Sequence, residues 1–90
     1  MDSTVTRLKE VLSYTEISAA EAILDELEGK NEKVIAPTKI ASKKSISKSV
    51  VVSVLRFLRV TGVVETKRIG GQGIRVTVLN REVLEAVAKF

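Results

Sequence analysis

The sequence contains no cysteine, no histidine and no tryptophan, and it has a single proline. Without cysteine and histidine, the chain cannot form disulfides, Cys/His zinc sites or thiol nucleophiles, and it lacks the side chain most often used for acid–base catalysis. No apolar run approaches the ~20 residues of a membrane span, and the N-terminus lacks the apolar core of a signal peptide. We therefore expect a cytoplasmic protein that is not an enzyme and that binds neither a metal nor a membrane.

The charges are distributed unevenly along the chain. Its 90 residues suffice for one domain with one core, and the net charge is +4. Residues 1–29 hold two basic and seven acidic side chains, a net −5, whereas residues 30–76 hold eleven basic and two acidic side chains, a net +9. This basic segment suggests an anionic partner, although a solvated basic face without a partner would have the same composition.

Helical periodicity dominates the first half of the chain. It predicts a short helix over residues 4–12 and an amphipathic helix over residues 15–28. The second helix follows the capping box Ser13-Tyr14-Thr15-Glu16 and stops at Gly29. After a polar link, residues 34–36 are expected to form one small strand, and Pro37 suits the start of a third helix.

The second half combines a helix, a hairpin and a final helix. Ser47 is the expected N-cap of a helix that ends by Gly62 and buries Val51, Val54, Leu55 and Leu58. The period then changes to two, which predicts strands over 63–69 and 74–79 around the glycine-rich tip at residues 70–73. Asn80 is expected to cap the last helix. Its predicted inward residues are Val83, Leu84, Val87 and Phe90.

Two short helices at a tight turn, followed by a hairpin, indicate a winged helix-turn-helix of the α+β class. We expect a mainly helical domain with a small two- to three-stranded antiparallel wing sheet. Residues 1–14 are assigned to a lead-in helix and residues 15–90 to the winged helix-turn-helix itself. Ser45 stands where a glycine often makes the turn, which implies an awkward backbone or a slightly different turn.

The expected binding surface comprises the outward face of the second motif helix, the basic residues before it and the hairpin. In such a motif the N-terminal turn of the recognition helix enters the major groove, and the wing follows the phosphate backbone. Three simpler interpretations remain open: Ser47 as a plain cap, Val52 as a core residue, and the hairpin charges as solvated. The residues proposed from this pattern are Lys39, Lys43, Lys44, Ser47, Lys48, Ser49, Val52, Ser53, Arg56, Lys67, Arg68 and Arg75.

Three stretches of the chain, SKSVVVSVLR, TGVVET and RVTVLN, occur together with an acidic leading helix. From about Leu12 to Asn80, the sequence resembles the C-terminal DNA-binding domain of the CodY family of global transcriptional regulators. The resemblance implies a winged helix-turn-helix that binds specific double-stranded DNA sequences as a repressor-type homodimer in the bacterial cytoplasm. It also implies DNA contacts at Ala41, Lys48 and Ser49, with Val52, Ser53 and Arg56 alongside.

The resemblance also bears on ligands. Family members respond to branched-chain amino acids, and many respond to GTP, through an N-terminal sensory domain whose sites these ninety residues do not contain. We therefore expect no cofactor and no small-molecule ligand in this chain. The alternative is a winged helix that serves as a protein–protein interaction module, because a fold does not determine a function. Such a module would not need a net +9 over residues 30–76.

Overall fold

The computed structural model describes Glu10, residues 12–71 and residues 73–88. These residues form a three-stranded antiparallel sheet of order β1-β3-β2, flanked by helices. The arrangement confirms the predicted α+β winged helix-turn-helix, and the predicted helix over 4–12 lies outside the described residues except at Glu10 and Leu12. The elements are α1 (Tyr14–Leu27), β1 (Glu32–Ile35), α2 (Pro37–Lys44), α3 (Lys48–Val60), β2 (Val64–Arg68), β3 (Ile74–Val78) and α4 (Arg81–Ala88).

The first described helix, α1, lies at the centre of the domain and packs against α2, α3 and α4. Its N-terminus has the predicted capping box: Ser13 Oγ accepts a hydrogen bond from the Glu16 N–H at 3.2 Å, and the Ser13 N–H donates to Glu16 Oε1 at 2.9 Å. It ends one residue earlier than predicted. Glu28 is already in the left-handed conformation with φ 53°, ahead of Gly29 with φ 78°.

The first strand begins two residues earlier than the sequence pattern predicts, at Glu32 instead of Val34. Glu32 and Lys33 belong to the strand because β3 supplies pairing partners for them, Thr77 and Val76. Because the pairing is with a strand far away in the sequence, residues 32 and 33 show no hydrophobic pattern that would predict a strand. Polar residues fit there because β1 is an edge strand with one face outside the core.

The turn between α2 and α3 is a Schellman motif built on a serine. The Ser45 N–H donates to the Ser42 carbonyl at 3.4 Å, and the Ile46 N–H donates to the Ala41 carbonyl at 3.0 Å. Ser45 itself has φ 55° and ψ 40°, a left-handed conformation that glycine adopts without a Cβ penalty. The awkward backbone expected at this position is confirmed.

The third helix, α3, is oriented by its buried stripe. Val51, Val54, Leu55 and Leu58 are each at most 3% exposed, as predicted from their spacing. At its N-terminus, Ser47 Oγ accepts a hydrogen bond from the Val50 N–H at 3.3 Å, which confirms the predicted cap. The opposite face of α3 is therefore directed away from the core.

The wing and the final helix complete the core. Both wing strands are slightly shorter than predicted, and Gly70 and Gly71 at the tip have positive φ angles. Asn80 Oδ1 accepts a hydrogen bond from the Val83 N–H at 3.1 Å, which confirms the cap of α4. The inward residues Val83, Leu84 and Val87 are buried, whereas Phe90 lies outside the described residues.

Among the helices that the structure describes, none combines the length and the apolar character needed to cross a membrane.

The left-handed serine generates a stability prediction. Ser45→Gly should raise the free energy of unfolding by about 0.5–1 kcal/mol, because glycine removes the steric penalty at φ 55°. The matched control is Ser42→Gly, inside α2, which should lower it by about 0.5–1 kcal/mol. Urea unfolding of both variants checks this prediction, and a Ser45→Gly variant that is less stable than the parent would contradict the conformation of the turn.

Candidate nucleic-acid interface

The N-terminal turn of α3 presents short and basic side chains to solvent. Ser47, Lys48 and Ser49 are exposed, and the hydroxyls of Ser47 and Ser49 are 3.0 Å apart. Ser47 Oγ accepts the capping hydrogen bond from the Val50 N–H, so Ser47 is the N-cap of α3. Ser53 follows one turn later and is exposed as well.

A groove runs between α3 and the core-side face of the sheet. It consists of two shallow concavities of about 180 and 120 Å³ that share Val52, Arg68 and Ile74. Half-buried Val52 and Ile74 belong to the lining of both concavities, so Val52 lies between the core and the surface. The cationic residues that line the groove are Lys48, Arg56, Arg59 and Arg68.

One groove residue, Arg59, was not among the predicted site residues. Its signal is present in the sequence: Val52, Arg56 and Arg59 follow one another at spacings of four and three, which places them on one helix face. The predicted residues of α3 lie in its first turns and end at Arg56, whereas Arg59 lies in the last turn of the helix.

The three basic residues of the wing do not lie on one surface. In the β2–β3 register, Lys67 is opposite Arg75, and Arg68 is opposite Ile74. Because successive side chains of a strand point to opposite faces, Arg68 lies on the groove side while Lys67 and Arg75 lie on the outer face. The prediction had grouped all three by their closeness to the glycine-rich tip.

The lysines at the end of α2 face the acidic helix α1. Lys43 Nζ lies 2.6 Å from Glu26 Oε1, and Lys44 Nζ lies 3.7 Å from Glu21 Oε1. Lys43 and Lys44 were predicted as DNA contacts. The structure turns both toward carboxylates of the same chain, while the side chain of Lys43 remains 60% exposed, so their contact with DNA stays a prediction.

The two remaining predicted residues lie on α2. Lys39 is exposed, and its charge contributes to lowering the pKa of Glu26. Ala41 is only 6% exposed and belongs to the core where α2 meets its neighbours. The methyl group of Ala41 therefore packs inside the domain, and the geometry does not support a DNA contact through this side chain.

The ion pairs between helices shift the pKa values of their members. The hydrogen bond from Lys43 holds the pKa of Glu26 below its ordinary value, and its charge acts in the same direction against the desolvation of the carboxyl. The same hydrogen bond raises the pKa of Lys43. Lys33, which pairs with Glu28, lowers the pKa of that carboxyl chiefly through its hydrogen bond.

The groove cations have no comparable partners. Within the part of the chain that the structure describes, the ion pairs involve Lys33, Lys43 and Lys44. No groove cation therefore lies within ion-pair distance of a carboxylate among the described residues, although Arg59 also lines a neighbouring concavity with Glu32 and Glu65. In the same described residues, no group of three or more acidic side chains is placed to hold a metal ion.

The sequence is similar to a known protein family and to curated relatives. A family model described as the CodY helix-turn-helix domain matches residues 27–90. The chain is 41% identical over 79 residues to the global transcriptional regulator CodY of Clostridium acetobutylicum. It is 42% identical over 79 residues to the proteins of the same name from Lysinibacillus sphaericus and Brevibacillus brevis. Each alignment covers 88% of this chain and 30% of the relative, so the chain spans under a third of the length of these curated relatives.

The Glu26–Lys43 pair generates a pH-dependent prediction. The pKa of Glu26 is lowered on folding, so the pair stabilises the domain above the ordinary carboxyl pKa of 4.5, and this contribution is lost as the pH falls through the folded-state pKa. Glu26→Gln should therefore slightly lower the free energy of unfolding at neutral pH and should lose this effect in acid. The control is Glu21→Gln, whose longer 3.7 Å pair should matter less. Urea unfolding over a pH series measures both, and a Glu26→Gln effect that grows in acid would contradict the pair.

Proposed function

Because this chain belongs to the CodY helix-turn-helix domain family, we propose that it binds specific sequences of double-stranded DNA in repressor-type transcriptional regulation. The observation that carries the proposal is the basic groove between α3 and the wing, whose cations lack partners among the described residues. The Clostridium acetobutylicum relative is named a global transcriptional regulator, which supports the same function.

The outward face of α3 is the part that would enter the major groove. B-DNA has a major groove about 12 Å wide, which admits an α-helix. Small exposed hydroxyls at Ser49 and Ser53 allow a close approach to the base edges, while Lys48 reaches a phosphate or a guanine edge from the first turn. Lysine lacks the two-pronged guanidinium of arginine, so we assign Lys48 mainly to a phosphate.

The other groove residues would hold the DNA backbone from two sides. Arg56 and Arg59 project from α3, and Arg68 projects from the wing across the groove. A sugar-phosphate strand lying between them would place its phosphates against these guanidinium groups and its sugars near Val52 and Ile74. Arginine suits this role because it forms two parallel hydrogen bonds with a phosphate.

Two further expectations from the resemblance extend this proposal. A homodimer on DNA would read two half-sites with two copies of α3. Effectors of the branched-chain amino acid and GTP classes would act through a sensory domain whose sites these ninety residues do not contain.

The test of the proposal is a salt titration of duplex binding with two wing variants. Affinity should fall steeply with salt, because each neutralised phosphate releases counterions. Arg68→Ala should weaken binding to all sequences and reduce the slope of log K against log salt by about 0.9, the effect of one lost phosphate contact.

The matched control is Arg75→Ala, a change of the same residue type one strand away on the outer face. It should leave affinity within about twofold of the parent, since Arg75 points away from the groove and its exposed charge is screened by salt. A flat salt response would contradict DNA binding through the groove. An equal loss in both variants would show that the wing contacts the duplex with both faces.

A further inference from the structure

The groove continues past Arg59 and Thr66 into a wider concavity. Both residues line the groove, and both also line a concavity of about 450 Å³ beside it, which we call the sheet concavity. The two depressions meet at β2, the edge strand that packs against α3. The other residues that line the sheet concavity come from the outer face of the sheet and are Glu32, Glu65, Lys67, Arg75 and Thr77.

The two depressions differ in charge. Among the described residues, those that line the groove include cations and no carboxylate. The sheet concavity combines three cations, Arg59, Lys67 and Arg75, with the two carboxylates of Glu32 and Glu65. A phosphate strand that moves from the groove past Arg59 therefore meets negative charge as soon as it reaches the sheet.

Strand register places the two carboxylates in one row across the sheet. Glu32 and Glu65 are the partners of Thr77 on its two sides, and the next row, which holds Lys67 and Arg75, is roughly 7 Å further along the strands. Thr77 Oγ1 donates to Glu32 Oε1 at 3.0 Å, which holds this carboxylate on the sheet. The ion pairs of the described residues include neither carboxylate, so neither is neutralised by a neighbouring cation.

The basic row on its own would attract DNA. Lys67 and Arg75 are directly opposite each other, and like charges in that position destabilise a sheet, so a bound phosphate would relieve their repulsion. Contacts with phosphates carry no sequence information. Without the carboxylates, this pair would therefore offer every duplex a second place to bind, immediately beside the groove and independent of the bases.

We propose that Glu65, together with Glu32, increases the sequence specificity of the domain by repelling DNA phosphates from the sheet concavity. This inference rests on the proposed binding of duplex DNA in the groove. A duplex whose bases contact α3 is fixed in the groove and gains little from the sheet concavity. A duplex held by its phosphates alone can occupy either place, so the carboxylates weaken chiefly the non-specific complexes.

The test is Glu65→Gln, which removes the charge and keeps the size of the side chain. Fluorescence anisotropy at low salt should show that affinity for a labelled random-sequence duplex rises at least about threefold, because the sheet concavity then accepts phosphates. The slope of log K against log salt should steepen by about 0.9 for each phosphate gained. Affinity for a duplex that the parent has selected from a random pool should rise less, so the ratio of the two affinities falls.

Two further variants examine the cause of the gain. Arg75→Ala should cancel the gain when it is combined with Glu65→Gln, because the new phosphate contacts need the basic row. Glu32→Gln should raise non-specific affinity in the same direction as Glu65→Gln, since glutamine keeps an oxygen that accepts the hydrogen bond from Thr77. Thermal melting of each variant verifies that it is folded.

The matched control is Glu82→Gln, which removes an exposed carboxylate on the first turn of α4, outside the sheet concavity. It changes the net charge equally and should leave both affinities nearly unchanged, because salt screens a charge far from the DNA. Equal gains in Glu65→Gln and Glu82→Gln would overturn the proposal, and so would an unchanged affinity of Glu65→Gln beside a parent that binds duplex with a steep salt dependence. A parent that binds no duplex would overturn the proposed function, and this inference with it.

Discussion

The burial of one face of α3 is the constraint on which the rest of the structure depends. Val51, Val54, Leu55 and Leu58 are all buried, and burying a side chain of this size contributes roughly 1.5–3 kcal/mol. Together these contributions are comparable with the whole stability of a small domain, so α3 cannot rotate about its axis. The cap at Ser47 and the left-handed turn at Ser45 determine where the helix starts. The outward face that we propose for DNA is a consequence of this packing.

The charges of the domain are separated by the same geometry. The acidic helix α1 neutralises the lysines at the end of α2, whereas the cations of α3 and of the groove side of the wing remain unpaired within the described structure. Alternation along β2 and β3 then divides the wing, with Arg68 on one face and Lys67 and Arg75 on the other. A basic stretch that is continuous in the sequence is thus divided among the end of α2, the groove and the outer face of the wing.

Local signals predicted most of the fold, because caps and periodicity act over a few residues. The Ser13 and Asn80 caps, the buried stripe of α3 and the glycine-rich tip were all readable in this way. The start of β1 at Glu32 was not, since it depends on pairing with a strand more than forty residues away. The site residues were harder to predict because their surroundings also depend on long-range contacts. The ion pair of Lys43 with Glu26 and the burial of Ala41 depend on how α2 packs against other helices. The prediction for the wing grouped Lys67, Arg68 and Arg75 by their distance from the tip and did not consider that side chains alternate between the two faces of a strand.

The most direct test of the outward face of α3 is the duplex affinity of Ser49→Trp, compared with the melting temperature of the same variant. Ser49 is exposed on the first turn, so the substitution should leave the melting temperature nearly unchanged. It should also add the first tryptophan of this chain, with the fluorescence of a solvent-exposed indole, and abolish most duplex binding by filling the space that a base edge would occupy. A Ser49→Trp variant that folds normally and binds duplex as tightly as the parent would contradict the account. It would mean that DNA, if bound, is bound by another face of the domain.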